Sequence, residues 1–201
     1  VYKRQDDIPI NNAIYRSGHV QSSNRINPFF IDNIQVVTGP ASVVYGDGAM
    51  GGAIIINTLN NESSKGVSNI IEQKYKSSSL SSSLKYLNTT SFKNLEFITA
   101  FAIEVNGNLK MGRNRLHGFT NWGNESTITK KNEQLETKYS KYDFIQKLII
   151  QQKANIISLN SQFSTTSDIS RFDKLNDIED GIRKYKKWYY GPQQRLSLIH
   201  I

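Results

Sequence analysis

From about Gly66 onward, the sequence consists of segments in which apolar and polar residues alternate. Residues two apart share one face of a β-strand, so each segment predicts a strand with one apolar face. Each segment lasts about ten residues, the length of a tilted strand that crosses a bilayer. The apolar positions form four sets: Leu80, Leu84 and Tyr86; Leu95, Phe97, Phe101 and Ile103; Tyr142, Phe144, Leu148 and Ile150; and Ile157, Leu159 and Phe163. The opposite parity is mostly polar, with interruptions at Ile98, Ala100, Ala102 and Ile149.

The links between these segments alternate in length. The links 88–94 and 152–155 are short, whereas the links 106–140 and 165–187 are long. Outer-membrane barrels have this alternation because their periplasmic turns are short and their outward loops are long. The link 76–79 departs from it, since it is short where the count predicts an outward loop. The strands of a soluble antiparallel sandwich also alternate apolar and polar residues. A sandwich has no reason to place its short links at one end and its long links at the other, so the pattern favours a membrane barrel.

Composition and spacing exclude several other classes of protein. No run approaches the roughly 18 apolar residues of a membrane-spanning helix. The sequence has no Cys, which removes disulfides, thiolate metal sites and cysteine nucleophiles. Its three His residues are widely separated, at His19, His117 and His200, which argues against a histidine metal cluster. There is no G-x-S-x-G or H-E-x-x-H motif, so we predict no enzyme activity, no cofactor and no metal.

Three weaker signals favour ordinary structural interpretations. The segment 46–51 matches G-x-G-x-x-G, but the β-branched run 53–56 follows it where a dinucleotide site needs a helix. The acidic segment 173–181 fails the EF-hand spacing, because apolar Ile178 falls at the third ligand position. The net charge is +8, but the only dense basic run, 183–187, adjoins Trp188, and that combination suits the interface end of a membrane strand better than nucleic acid. We therefore predict no nucleic-acid partner.

The part of the chain before Gly66 has a different sequence pattern. Two β-branched runs, 32–37 and 53–57, predict short strands on either side of a turn-rich connector, and the polar segment 59–65 marks a boundary. The chain begins at Val1 and ends just after a new strand starts, so we expect an internal fragment with about five complete strands. We also predict that residues 1–5 and 196–201 are non-native ends, as a hypothesis.

The segment Ile31–Thr58 reads IDNIQVVTGPASVVYGDGAMGGAIIINT. It strongly resembles the end of the plug domain of TonB-dependent outer-membrane receptors, where a pattern of I-x-V, G-P-x-S-x-x-Y-G and G-G-x-I-x-I-x-T positions precedes the first barrel strand. Residues 10–21 resemble another plug segment, and residues 188–193 resemble the entry to a later strand. The resemblance implies a mainly β fold: a partial plug domain (small α+β, residues 6–62), then the first antiparallel strands (residues 63–195) of a transmembrane β-barrel of about 22 strands, whose lumen the plug fills.

The resemblance also implies a function. Such receptors bind a scarce ligand, typically a siderophore-iron complex, haem, cobalamin or an oligosaccharide, and import it when the inner-membrane TonB complex pulls on the plug. The implied partners are the TonB complex (through a plug segment that we expect outside this sequence), the imported ligand and lipid of the Gram-negative cell outer membrane. We expect the isolated fragment, an open sheet, not to insert or transport. The alternatives are a passive or adhesin-like barrel and a soluble carbohydrate-binding β-sandwich.

The resemblance assigns two kinds of residue. Family plugs present apical loops to the ligand, and a long outward loop lies opposite, which gives these substrate-binding candidates: Tyr15, Arg16 and His19, with Arg113, Arg115, His117 and Trp122. Arg and Tyr suit an anionic ferric chelate, whereas His can ligate haem iron; polar residues lining a wet loop are the alternative interpretation. The structural candidates that shape the plug are Gly39, Pro40, Tyr45, Gly46, Gly48, Gly51 and Gly52.

Overall fold

The computed structural model describes residues 2–6, 8–10, 26–40, 42–46, 49–60, 66–110, 129–130, 132–152, 155–171, 174, 177–183, 189, 192 and 194–200. Its first part is a four-stranded sheet, here called the small sheet: β1 (Tyr2–Gln5), β2 (Ile8–Pro9), β3 (Ile31–Thr38) and β4 (Gly52–Thr58). The strand order is β2-β1-β4-β3. The β1 and β4 strands are parallel, and the other two pairs are antiparallel.

The predicted pair of short strands is confirmed by β3 and β4, which lie side by side and antiparallel. The connector between them contains one short helix, α1 (Ser42–Tyr45), and a turn at Ala49–Gly51. A second short element, the 3-10 helix Pro28–Phe30, leads directly into β3. Both connecting helices are too short to form a layer, so the small sheet needs another surface to cover it.

That surface is a six-stranded antiparallel sheet, here called the large sheet, with strand order β15-β12-β11-β7-β6-β5. The remaining described strands form a three-stranded sheet, β8-β10-β9, and a hairpin, β13-β14. Their bounds are β5 (Gly66–Lys76), β6 (Ser81–Phe92), β7 (Leu95–Asn106), β8 (Leu109–Lys110), β9 (Thr129–Lys130), β10 (Glu133–Gln134), β11 (Tyr139–Gln152), β12 (Asn155–Thr166), β13 (Ile178–Glu179), β14 (Ile182–Arg183) and β15 (Gln194–His200). The predicted start of the long strands at Gly66 is confirmed.

The predicted apolar parity is confirmed by the register of the large sheet. Phe144 of β11 lies opposite Phe101 on one side and Phe163 on the other, and Leu148 lies between Phe97 and Leu159. Directly paired residues point to the same side of an antiparallel sheet, so these sets form one continuous face, here called the outer face. Only Leu80 differs, because it lies in the turn before β6 with a φ of 46°.

The opposite side, here called the inner face, covers the small sheet. Three of the four interruptions in its polar pattern, at Ile98, Ala100 and Ala102, are fully buried there. The outer face is not covered by any other described element, and Phe144 and Phe163 remain 37% and 42% exposed. A sandwich would bury this face beneath a second sheet, so the described architecture is a wall with a small domain on one side only.

The links divide between the two ends of the large sheet as predicted. The turn at Lys93–Asn94, the paired ends of β11 and β12 at Gln152 and Asn155, and the start of β5 all lie at one end. The two long links lie at the other end, here called the long-loop end, where the short β5–β6 turn also lies: the Lys110 N–H donates to the Ser78 carbonyl oxygen at 3.1 Å. No helix in the described ranges has both the length and the apolar character needed to cross a membrane.

Candidate functional site between the two sheets

The side chain of Phe30 joins the small-sheet part of the chain to the large sheet. It is completely buried on the inner face. Its apolar cluster draws on β6, β7 and β11, and consists of Phe30, Leu87, Ile98, Ala100, Ala102 and Ile145, with Phe29 and Leu59 packed at its edge. Two alanines in the wall leave room for an aromatic ring, which explains why small apolar residues interrupt the polar parity at this height.

The local sequence fixes Phe30 in this position. Asn27 caps the 3-10 helix, since its side-chain oxygen accepts from the Phe29 N–H at 3.0 Å, and Pro28 has the backbone angle that a first helical residue needs. The Phe30 carbonyl oxygen then accepts from the Leu59 N–H at 2.9 Å, which ties the helix to the end of β4. A rigid turn therefore presents the ring to the wall.

Replacement of Phe30 by alanine is expected to loosen this contact. A buried Phe-to-Ala change costs about 3–5 kcal/mol, because it removes apolar burial and leaves a cavity. In the complete protein, hydrogen exchange at the Leu59 amide should report a fall of that size in the free energy of opening. Phe29→Ala, a half-buried neighbour on the same turn, is the matched control and should cost less. Equal exchange rates in both variants would show that the Phe30 side chain does not hold the small-sheet part of the chain against the large sheet.

A polar cluster surrounds Asp6 beside the apolar contact. The Asp6 carboxylate accepts from the Thr58 N–H at 2.8 Å, from the Thr58 hydroxyl at 2.6 Å and from the Asn160 amide of β12 at 2.8 Å. The ammonium of Lys147, on β11, lies 3.5 Å from the same carboxylate. It also donates to the Thr58 carbonyl oxygen at 3.2 Å and to Asn60 Oδ1 at 3.1 Å. Lys147 is only 3% exposed, so this is a buried ion pair between the two sheets.

A second polar cluster surrounds Asp143 nearer the long-loop end of the same strand. The amide of Asn27 donates to Asp143 Oδ2 at 2.7 Å, and the Ser164 hydroxyl donates to the other carboxylate oxygen. The ammonium of Lys141 lies 3.3 Å from Asp143. Asp143 is 4% exposed, and these donors satisfy the oxygens of its buried carboxyl group.

Polar groups between the sheets are not all satisfied. Gln5 donates to Gln162 Oε1 at 2.9 Å, yet Gln162 Nε2 and Asn160 Oδ1 are buried without a partner among the described residues. A buried polar atom without a partner costs about 1–3 kcal/mol. The contact between the sheets is therefore less stable than an apolar core of the same size.

A lysine-lined recess opens on the inner face beyond Phe29, toward the long-loop end. Lys85 marks its near side, with its ammonium 5.2 Å from the Phe29 ring and 2.9 Å from Glu72. The lining residues are Lys74, Lys76, Ser81, Ser82, Ser83, Lys85, Glu104 and Asn106. Two glutamates lie beside these three lysines, namely Glu104 in the lining and Glu72, which also lies 4.0 Å from Lys74, so one positive charge remains in excess. Asn106 Nδ2 is a buried donor that no described group accepts. The recess therefore presents a positive potential and hydrogen-bond donors, which suit an anionic group.

The predicted ligand-contacting residues lie outside the described residues, so their roles stay predictions: Tyr15, Arg16, His19, Arg113, Arg115, His117 and Trp122. The same holds for Gly48. Gly39, Gly46 and Gly52 have positive φ angles of 86°, 100° and 116°. Tyr45 ends α1 below the Arg4 guanidinium, whose carbon is 5.8 Å from the ring centre. Pro40 follows Gly39 in the exposed turn after β3, and Gly51 lies exposed in the turn before β4.

Sequence reasoning missed the residues that join the sheets, namely Asp6, Asn27, Phe30, Lys147 and Asn160. One local signal was present, since Asn27-Pro28 before an aromatic pair is typical of a capped turn. The charged residues gave no such signal, because a lysine on the polar parity of a strand is equally suited to water. In the described part of the chain, no three His, Asp or Glu side chains lie close enough to hold a metal ion.

Comparisons with known proteins agree with this architecture. Residues 4–53 match the family described as TonB-dependent Receptor Plug Domain. The ferric enterobactin receptor PfeA in complex with BCV-L6 superposes with a TM-score of 0.62 at 18% identity, over 99% of this chain and 30% of that one. A point mutant of the ferric enterobactin receptor from Pseudomonas aeruginosa gives a TM-score of 0.56 at 19% identity, over 92% and 27%. The chain thus spans less than a third of these structures. No curated protein sequence matches significantly.

Proposed function

We propose, from the match of residues 4–53 to the plug-domain family of TonB-dependent receptors, that the chain is part of an outer-membrane transporter that imports a scarce ligand with TonB-derived work. The small sheet is then the end of the plug, and the large sheet is the first part of the barrel wall. The division into a plug part at 6–62 and a wall part at 63–195 belongs to this proposal, and β1 at Tyr2–Gln5, which precedes residue 6, pairs within the same small sheet. The prediction of non-native ends concerns the gene and stays a prediction.

The observation that carries the proposal is the buried ion pair between Asp6 and Lys147, with its surrounding amides. A pore wide enough for a large ligand leaks unless a plug closes it. The plug must move aside during import and then return to its closed position. A purely apolar contact would expose a large apolar surface each time the plug moved, whereas polar groups exchange their partners for water at a small net cost. Phe30 supplies the apolar anchor that sets the closed position.

For the ligand, we favour an anionic iron chelate over haem, cobalamin or an oligosaccharide. Support comes from the lysine-lined recess, which lies between the plug contact and the long-loop end, where an incoming ligand first meets the wall. The two similar structures are ferric enterobactin receptors. The proposed partners are the imported ligand, the TonB complex and outer-membrane lipid, and the proposed location is the outer membrane of a Gram-negative bacterium.

The test is uptake of radioactive iron by cells that carry the complete receptor. With ferric enterobactin as the probe, we expect uptake that needs both the TonB complex and the proton-motive force. Lys74→Gln with Lys76→Gln should weaken the affinity roughly tenfold, about 1.4 kcal/mol, because two positive charges leave the recess. Lys93→Gln, at the opposite end of the wall, is the matched control.

Two results would contradict the proposal in different ways. Uptake that continues without the TonB complex would indicate a passive barrel. TonB-dependent uptake of cobalamin or haem, with no uptake of ferric enterobactin, would keep the transporter but overturn the anionic iron chelate as its ligand.

A further inference from the structure

The nearest neighbours of Lys147 within the large sheet carry no charge. On the inner face, the residues directly beside Lys147 are Ile98 of β7 and Asn160 of β12. The preceding and following inner-face residues of its own strand are Ile145 and Ile149. The large sheet therefore places an ammonium on the inner face without a carboxylate next to it.

The charge of Lys147 is balanced by the small-sheet part of the chain. The two carboxylates that act on it are Asp6, at 3.5 Å, and more distantly Asp32 of β3. The oxygens that accept from its ammonium, on Thr58 and Asn60, also belong to that part. If the small sheet moves away from the large sheet, these partners leave together, and a buried ammonium becomes a bare cation on the inner face.

Two other lysines of the inner face behave differently. The ammonium of Lys141 lies 3.3 Å from Asp143, and both residues belong to β11. The ammonium of Lys85 lies 2.9 Å from Glu72, and both residues belong to the large sheet. Movement of the small sheet therefore leaves these two ion pairs intact, whereas it removes the counter-charge of Lys147.

Lys147 lies further from the long-loop end than the lysine-lined recess does. Lys85, which lines the recess, is in register with Ala102 and, through it, with Asp143. Lys147 follows Asp143 by four residues on the same strand, about 14 Å at roughly 3.4 Å per residue. An anionic ligand that leaves the recess and passes along the inner face therefore meets this cation on its way.

We propose that Lys147 is a transit site for the imported ligand: after the small sheet has moved, anionic oxygens of the iron chelate take the place of the Asp6 carboxylate. The inference rests on the proposed function, since it requires an anionic chelate and a plug that moves. The open site is in contact with water, so a single charge contact there is weak. The ligand can therefore leave again, as a transport route requires. Because Asp6 and the chelate compete for one ammonium, the closed contact re-forms only after the ligand has passed.

A neutral pair in the complete receptor tests the transit site. Asp6→Asn with Lys147→Gln removes both charges together, and the glutamine amide keeps a donor for the Thr58 carbonyl oxygen. With ferric enterobactin as the probe, the Kd measured on cells without proton-motive force should stay unchanged. The maximum rate of TonB-dependent uptake should fall about fivefold, the factor that a contact between unit charges roughly 4 Å apart gives in water.

The matched control is a second neutral pair on the same sheet, Lys141→Gln with Asp143→Asn. It removes an ion pair of the same kind, but one whose cation the small sheet does not neutralise, so the maximum rate should be kept. A weaker closed contact alone would ease opening and raise the rate, so a fall reports the missing cation. A maximum rate in the Asp6 and Lys147 pair that equals or exceeds the control would overturn the transit site.

Acetylation of amines in intact cells measures the exposure of Lys147 without any substitution. Lys147 is 3% exposed in the closed structure, whereas Lys93 is exposed and is the positive control. During uptake of ferric enterobactin, mass spectrometry should find Lys147 acetylated several times faster than in cells without the TonB complex, with Lys93 unchanged. Equal rates at Lys147 in the two kinds of cell would show that the cation is never bared, and would overturn the inference.

The outcomes separate the two proposals. TonB-dependent uptake of ferric enterobactin by the unmodified receptor, with equal maximum rates in the two paired variants, would overturn the transit site and leave the transporter standing. TonB-dependent uptake of an uncharged ligand only would overturn the transit site together with the anionic chelate. Uptake that does not need the TonB complex would overturn both proposals.

Discussion

Replacement of Gly52 by alanine is expected to disrupt the pairing of β3 with β4 in the small sheet. Gly52 opens β4 with a φ of 116°, and a Cβ atom there would lie 2.4 Å from the Val37 carbonyl oxygen. Other residues hold such backbone angles at a cost of about 1–3 kcal/mol. The clash is with backbone, so no side-chain rotation relieves it, and β3 and β4 must move apart. We expect a total loss of roughly 3–5 kcal/mol, in the range of severe single substitutions.

Limited proteolysis of the complete receptor in outer membranes measures this effect. Gly52→Ala should open new cleavage sites within residues 31–58, which mass spectrometry of the fragments identifies. Gly51→Ala is a closely matched control, because no atom lies within 4 Å of its added methyl group and its φ is not positive. It should resist the protease as the unmodified receptor does. Equal resistance of both variants would refute the steric argument.

Replacement of Lys147 by methionine is expected to reduce the stability of the contact between the two sheets by a similar free energy. The change keeps the apolar stem but removes the ammonium that contacts Asp6, Thr58 and Asn60. The Asp6 side chain is only 14% exposed, so its carboxylate would remain mostly buried without a cation. Removal of one partner of a buried pair costs about 3–5 kcal/mol. Hydrogen exchange of the β4 amides in the complete receptor should report that loss.

A control and a double variant separate the ion pair from other causes. Lys141→Met makes the same change on the same strand and face, but its carboxylate partner Asp143 also lies in β11, so the loss should be smaller. Adding Asp6→Asn to Lys147→Met should recover part of the stability, since no uncompensated charge remains. A double variant as unstable as the sum of the two single changes would show that the pair is not coupled.

The large sheet was predictable from sequence because the alternation of apolar and polar residues is a local property of each strand. A strand in a one-sided sheet alternates with period two, so Phe97, Phe101, Phe144 and Leu148 identified their common face without any knowledge of their partners. The motif from Ile31 to Thr58 predicted β3, the turn-rich connector and β4 for the same reason. Its glycines mark backbone geometry that other residues rarely adopt.

The contact between the sheets was not predictable, because its partners lie far apart in the chain. Asn160 is 154 residues from Asp6, and Lys147 is 89 residues from Thr58. At a polar position of an alternating strand, the sequence does not distinguish a lysine that contacts a buried carboxylate from one that contacts water. Phe30 had no periodic context at all. Its partners Ile98, Ala100 and Ala102 were visible only as exceptions to a pattern, and those exceptions marked the contact.

The parallel pairing of β1 with β4 determines how the small sheet responds to tension. In a parallel pair, the beginning of one strand and the end of the other lie at opposite ends. Tension applied to β1 at Tyr2, with the wall holding the chain after Thr58, therefore slides the two strands along each other. The bonds from Tyr2–Ala53 to Gln5–Ile56 carry the load together. Peeling would break them singly, so this geometry transmits a pull to the wall contact before the sheet itself ruptures.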